Sequence, residues 1–284
     1  MKTTTLVITI LATLIGTASV SFGDTSCAKN LTIKSGLSKL PSLKNYYVSA
    51  ETNGPVGRLE NDPRRPLDRN QHPEYNAIGA VTSSIGRGTG WLGNECLVWT
   101  AKHVLGRNKK VIGQKVKFSV GQSKTAGKNF EHEVEGEVVA SGNPDAKEAD
   151  MGAQDWALIK LKKSIGKQVG TIQAAQYSVA DATTCKTLEV AGYPGEKNLK
   201  NLWWQGNCSL DTNMSGATGM SLGCPVTPGN SGGPLLCREV DGQLYAIGIM
   251  NQQVESATVG LAVNFTADWK SAKASFQKYM NTCN

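Results

Sequence analysis

The chain has 284 residues, 39% hydrophobic and 19% charged, which is enough apolar material for a full core and excludes a disordered tail or a fibre. Thirty Lys and Arg against 23 Asp and Glu leave a net charge of +7, a mild basic balance for one large domain or two small ones. The seven cysteines lack the paired Cys-x-x-Cys and clustered His of a zinc site, so disulfides in an oxidising compartment are the first reading.

Lys2, an apolar run from Leu6 to Ile15 and the small residues Gly16, Ala18, Ser19, Ser21 and Gly23 have the layout of a secretory signal peptide over 1–23, cut after Ala18 or Gly23. The run is about half of the roughly 20 residues a membrane span needs. A secreted protein, extracellular or periplasmic, with no membrane attachment after signal cleavage is expected. Residues 24–55 are polar and weakly patterned, with Lys29, Lys34, Lys39 and Lys44, and read as a prosegment. Residues 57–74 hold Pro63, Pro66, Pro73 and four arginines, so an extended course over a surface is expected there.

From Ala77 the texture changes to short β-rich runs separated by Gly, Asn and Pro: 77–83, 97–100, 114–120, 133–140, 156–161, 187–192, 245–250 and 259–263. Many short strands with frequent turns predict an all-β barrel or sandwich. At the far end Trp269, Ala272, Phe276, Tyr279 and Met280 recur at helical spacing among Lys270, Lys273 and Lys278, which predicts an amphipathic helix over 267–280 packed on the barrel.

Between Lys102 and Lys128 stand eight Lys/Arg and no acid, and Glu131, Glu133, Glu135 and Glu137 follow at period two. A basic groove for nucleic acid is one reading. Adjacent antiparallel strands with oppositely charged solvent faces are the favoured one, because no aromatic residues interleave with the lysines. Four glutamates alternating along a strand do not converge as a calcium loop would.

The segment richest in chemistry is Pro228-Gly229-Asn230-Ser231-Gly232-Gly233-Pro234. Glycines around a serine allow a tight turn that aims backbone N–H groups at one point beside the hydroxyl. A serine hydroxyl needs a base to take its proton, and the candidates are His72, His103 and His132. His103 follows the apolar run Leu97-Val98-Trp99-Thr100-Ala101, at the rim of a core, whereas His72 lies in the Arg/Pro segment and His132 on the charged strand. Asp155 opens the apolar run Trp156-Ala157-Leu158-Ile159, where a buried carboxylate can orient an imidazole. Asp150 is the rival, without a strand to stand on.

The order His, Asp, Ser in Thr100-Ala101-Lys102-His103, Asp155-Trp156-Ala157-Leu158-Ile159-Lys160-Leu161 and Gly229-Asn230-Ser231-Gly232-Gly233-Pro234 resembles the chymotrypsin-fold serine peptidases, and most of all their secreted bacterial glutamyl-endopeptidase-like branch. Asn61-Asp62-Pro63-Arg64-Arg65, Gly88-Thr89-Gly90-Trp91-Leu92 and Gly192-Tyr193-Pro194-Gly195 add to the likeness, which spans about residues 56–284. It implies a double six-stranded antiparallel β-barrel with a C-terminal α-helix, the site in the cleft between barrels, no cofactor or metal, protein or peptide substrates and a monomer. Ser231 would be nucleophile, His103 base and then acid, Asp155 its orienter, and the N–H groups of Gly229 and Ser231 the oxyanion hole. Asn230 stands where the pancreatic-type motif has an Asp that pairs with a freed N-terminal ammonium. The alternative function is a catalytically silent homologue serving as a secreted binding or adhesion module.

The branch's carboxylate-recognising positions are altered. Pro225 stands six before the serine, and Val226 and Met250 replace a hydroxyl residue and a histidine, with Asn251, Gln252 and Gln253 following and Pro228 beside the turn. A neutral, medium-sized side chain before the scissile bond is the resulting expectation. Cys208 and Cys224 bracket the segment leading into the serine turn, and Cys185 and Cys237 stand where a second-barrel strand meets the strand after Ser231. Cys283 has two candidate partners, Cys96 and Cys27.

Overall fold

Six strands in the first half form a ring, most of them with apolar residues at every second position or in an unbroken run. After a two-residue strand β1 (Arg65–Pro66) they are β2 (Ile78–Thr82), β3 (Arg87–Leu92), β4 (Leu97–Thr100), β5 (Lys115–Val120), β6 (His132–Ser141) and β7 (Ala157–Leu161). In this computed structural model residues 62–283 are described, apart from 107–109, 122–128, 144, 146–152, 198–199, 213–214, 216–218, 255–258 and 265–268. For 252–254, 259–264 and 269 the backbone alone is described. The expected signal peptide and prosegment, Cys27 and Asp150 lie outside the described residues.

The ring closes in the order β2-β3-β4-β7-β6-β5, all antiparallel. On β6 the exposed Glu133, Glu135 and Glu137 alternate with the buried Val134 and Val138, and all three glutamates oppose β5, at Ser119, Lys117 and Lys115. Lys117 Nζ lies 2.9 Å from Glu133, so the basic and acidic runs form the oppositely charged faces of neighbouring strands. Strand β3 is absent from the sequence reading because its glycines mask the apolar pattern. They are required by close packing: a Cβ on Gly90 would sit 2.7 Å from the Trp99 carbonyl oxygen and 2.8 Å from Val81.

The second half contains α1 (Gly166–Val169), β8 (Gln173–Ala174), α2 (Val179–Ala182), β9 (Thr187–Gly192), β10 (Trp203–Gln205), β11 (Leu210–Asp211), β12 (Gly219–Leu222), β13 (Pro234–Arg238), β14 (Leu244–Val254), β15 (Val259–Asn264) and α3 (Trp269–Met280). The expected all-β architecture with a C-terminal helix is present. The strands of this half, joined by β1, form a nine-stranded sheet ordered β1-β10-β9-β13-β14-β15-β12-β11, with β8 parallel to β14. Short strands such as β1 and β11 have too few residues to show a period.

Helix α3 seats Ala272 and Phe276 on the first barrel, where Phe276 stacks on Trp99 at 5.5 Å between ring centroids; Met280, expected on the packed face, is 44% exposed. Cys283 is bonded to Cys96, which fastens the end of the chain to the strand before the histidine and leaves Cys96 no free thiol. The other bridges join Cys185 to Cys237 and Cys208 to Cys224. Arg64 and Arg69, expected on a surface-running arm, are 4% and 5% exposed. Each finds partners far along the chain, Arg64 at Glu196 and Thr227 and Arg69 at Tyr193. No helix among the described residues is long and apolar enough to cross a membrane.

Candidate active site

Antiparallel pairing of β4 with β7 sets Thr100 opposite Ala157, so the chain leaving β4 and the chain entering β7 emerge side by side. His103, in a 3-10 turn three residues after Thr100, therefore meets Asp155, two residues before Ala157. Its Nδ1 lies 2.7 Å from Asp155 Oδ2 and its backbone N–H donates to Oδ1 at 2.9 Å. Two bonds from one residue to both carboxylate oxygens fix the ring plane and leave Nε2 pointing away from the acid. Asp155 is 5% exposed. Burial opposes its ionisation, but the charge of His103, the two hydrogen bonds from that residue and the Lys102 ammonium outweigh it and hold the carboxyl below the usual carboxylate range. Lys102 is itself buried, with Nζ donating to the Asn143 carbonyl at 3.1 Å.

The serine turn reaches the same place through β3. Thr89 N–H donates to the Ser231 carbonyl at 2.8 Å, Thr89 Oγ1 donates to the Gly229 carbonyl at 2.7 Å, and the Thr89 carbonyl accepts from Thr100 Oγ1 at 2.8 Å. A Cβ on Gly88 would meet the Ser231 carbonyl oxygen at 2.6 Å and Val104, the neighbour of His103, at 2.7 Å. The Ser231 backbone and the residue after His103 thus both pack against the same glycine. Ser231 Oγ makes no hydrogen bond to His103 among the described residues, and such contacts commonly tighten only around a substrate. His72 is exposed and His132 remains on the charged strand, both away from this cluster.

Within the turn the backbone donors are divided. Asn230 N–H donates to Thr227, Gly232 N–H to Met250 and Gly233 N–H to Asn230, while Gly229 and Ser231 donate to no group among the described residues. Their peptide planes are nevertheless held. The Pro228 carbonyl, whose plane carries Gly229 N–H, accepts from Gly195 at 2.7 Å, and the Asn230 carbonyl, whose plane carries Ser231 N–H, accepts from Gly233 at 2.9 Å. Because C=O and N–H point opposite ways across a trans peptide, bonding each carbonyl inward turns each N–H outward. Gly229 has φ 101° and Gly232 φ 85°, values that side chains with a Cβ rarely adopt. The arrangement offers a hydroxyl, an imidazole aligned by a carboxylate and two oriented N–H donors, the parts needed for acyl transfer.

Around the turn, Val226 and Met250 are 4% and 2% exposed and share one apolar cluster with Met220, Leu222 and the Cys208–Cys224 bridge. Pro225 is buried and Pro228 exposed. The β14–β15 register shifts between Met250 and Gln252, leaving Asn251 half-buried at the irregularity, a device that re-aims a side chain. The side chains of Gln252 and Gln253 lie outside the described residues. Sequence reasoning missed Arg64, Thr89, Glu196 and Thr227, although Asp62-Pro63-Arg64 and Gly88-Thr89-Gly90 were visible as motifs. Asn230 Oδ1 is buried without a hydrogen-bond partner among the described residues. Among the described residues no cluster of three or more His, Cys, Asp or Glu is placed to hold a metal ion.

The family described as trypsin matches residues 68–270 of the chain. Among solved structures, that of a Glu endopeptidase in complex with MPD is similar, with a TM-score of 0.57 at 21% identity, over 78% of this chain and 98% of that one. Among curated proteins none matches significantly.

Proposed function

The chain belongs to the trypsin family and is a serine endopeptidase, and from that premise we propose that Ser231, His103 and Asp155 are its catalytic residues. Ser231 Oγ attacks the carbonyl carbon of the scissile peptide while His103 Nε2 takes the hydroxyl proton. Asp155, bonded to Nδ1–H and to the backbone of His103, holds the tautomer in which Nε2 is free to accept and stabilises the imidazolium that forms. The negative charge developing on the carbonyl oxygen is met by the N–H groups of Gly229 and Ser231. Imidazolium then protonates the leaving amine, the peptide C–N bond breaks, and water activated by His103 hydrolyses the acyl-enzyme.

The observation that carries this reading is the split of donors in the turn: among the described residues there, Gly229 and Ser231 keep their N–H groups unspent, beside a histidine bonded twice to a buried aspartate. Losing one such donor typically costs about 3 kcal/mol of transition-state stabilisation. A peptidyl diphenyl phosphonate tests it: one covalent adduct on Ser231, abolished by His103→Ala, is expected. No adduct in the mature protein sinks the assignment and favours a silent binding module.

Three disulfides and the N-terminal apolar run support export, with residues 1–23 as signal peptide, 24–55 as prosegment and 56–284 as the working domain. For specificity, the apolar cluster behind Val226 and Met250 favours a neutral, medium-sized residue before the scissile bond, rather than the Glu for which the similar endopeptidase is named. Dominant cleavage of a peptide library after Glu or Arg refutes that preference.

A further inference from the structure

Outside the site, Arg64 is a buried and multiply bonded charge, with a side chain only 1% exposed. Its Nε and Nη2 donate to the two oxygens of Asp62 at 2.8 and 2.9 Å, Nη2 also donates to Glu196 Oε1, and Nη1 donates to Thr227 Oγ1 at 2.8 Å. Thr227 Oγ1 in turn donates to Glu196 Oε2 at 2.8 Å, so its lone pair and its proton are both engaged and the hydroxyl cannot rotate. Lys197 Nζ, 3.2 Å from Asp62, supplies a second positive charge against the two carboxylates.

The two residues Arg64 grips flank one hydrogen bond. Glu196 follows Gly195, whose N–H binds the Pro228 carbonyl, and Thr227 precedes Pro228. That carbonyl shares its peptide plane with Gly229 N–H. Resting on the peptidase reading, we infer that Arg64 is a positioning residue: by clamping Glu196 and Thr227 on either side of the Gly195–Pro228 bond, it sets the Pro228–Gly229 peptide plane and with it one of the two oxyanion donors.

The place of the clamp follows from chemistry. Asn230 is neutral and its Oδ1 has no partner among the described residues, so it makes no ion pair that could hold the turn. The charged group that ties the turn is Arg64, which donates to the Thr227 hydroxyl three residues earlier and is located by the pairing of Arg65 with Trp204 and Pro66 with Trp203. A guanidinium suits this task because its planar fork serves a carboxylate, a second carboxylate and a hydroxyl at once, which an ammonium does not.

The test separates ground-state binding from oxyanion stabilisation. With a peptide substrate chosen from the library digest, Thr227→Val, near-isosteric and charge-neutral, is expected to lower kcat about 10-fold with KM within about threefold, and Arg64→Gln about 10- to 100-fold, below the full loss of a donor. Affinity for a peptide boronate, whose tetrahedral adduct occupies the oxyanion hole, should fall in proportion to kcat. In the double variant the effects should be less than additive, because both act through one plane. Thr227→Val, which leaves the charges paired, keeps the test valid if Arg64→Gln fails to fold. A folded Thr227→Val protein with wild-type kcat and boronate affinity overturns the inference, as does a loss confined to KM. Wild-type protein that takes no phosphonate at Ser231 overturns the peptidase assignment itself and the inference with it.

Discussion

Two glycines with nearly the same backbone conformation isolate what packing at the site contributes. Gly232 has φ 85° and Gly242 φ 91°, so alanine is strained at both, by about 1–2 kcal/mol. They differ in surroundings. A Cβ at Gly242, in the turn between β13 and β14, meets nothing within 4 Å, whereas at Gly232 it would lie 2.2 Å from the Thr89 carbonyl oxygen, 2.3 Å from Thr100 Oγ1 and 2.8 Å from Ala101 N. Two of these are backbone atoms of β3 and of the segment entering the His103 turn, which cannot swing aside as a side chain would. Overpacking of this kind adds about 1–3 kcal/mol. Gly242→Ala is therefore expected to cost about 1–2 kcal/mol and Gly232→Ala about 2–5 kcal/mol, with about 2–4 °C of Tm lost for each kcal/mol at this chain length. Relieving the clash pushes Ser231 away from His103, so kcat should fall in Gly232→Ala and stay at the wild-type value in Gly242→Ala. Urea unfolding and steady-state kinetics on the pair measure both quantities. Equal destabilisation, or full activity in Gly232→Ala, refutes the claim that contact through β3 joins the two parts of the site.

Asp155→Asn should lower kcat by about four orders of magnitude while the fold persists, because an amide facing Nδ1 favours the tautomer with the proton on Nε2; a loss of tenfold or less counts against the tautomer argument. The same variant has a predicted pH signature. The Asp155 pKa is depressed in the folded protein below its ordinary 3.8, so the carboxylate stabilises the fold fully above about pH 4 and this contribution disappears as pH falls through the folded value. The stability difference between wild type and Asp155→Asn, followed by urea titration, should accordingly shrink toward acid, and a gap that widens there contradicts the sign. Replacing Cys96 and Cys283 together by serine opens a cross-link spanning 187 residues and should cost about 2–5 kcal/mol, lowering Tm while the acylation chemistry persists at low temperature. An unchanged Tm argues that packing of Phe276 on Trp99 suffices to hold α3.

Much of the molecule was legible in the chain because the relevant signals are local. Glutamates at period two and a short β-rich run predicted β6 and β5, apolar runs predicted β4 and β7, and glycines around Ser231 marked a turn that only such residues adopt. Polar residues at the ends of apolar runs singled out His103 and Asp155 for the same reason, since a side chain beside a buried strand is desolvated wherever that strand pairs. Tertiary structure alone decided what depends on distant partners. Whether Cys283 joins Cys96 or Cys27 turns on which sulfur the folded chain brings within bonding reach. Gly-rich β3 is a strand because its neighbours leave no room for larger residues. Arg64 looked like surface charge because its burial is tolerable only beside Glu196 and Thr227, 132 and 163 residues away. The division of N–H groups in the serine turn also escapes the sequence, because a peptide plane is oriented by whatever binds its carbonyl, and for Pro228 that is Gly195, on another loop.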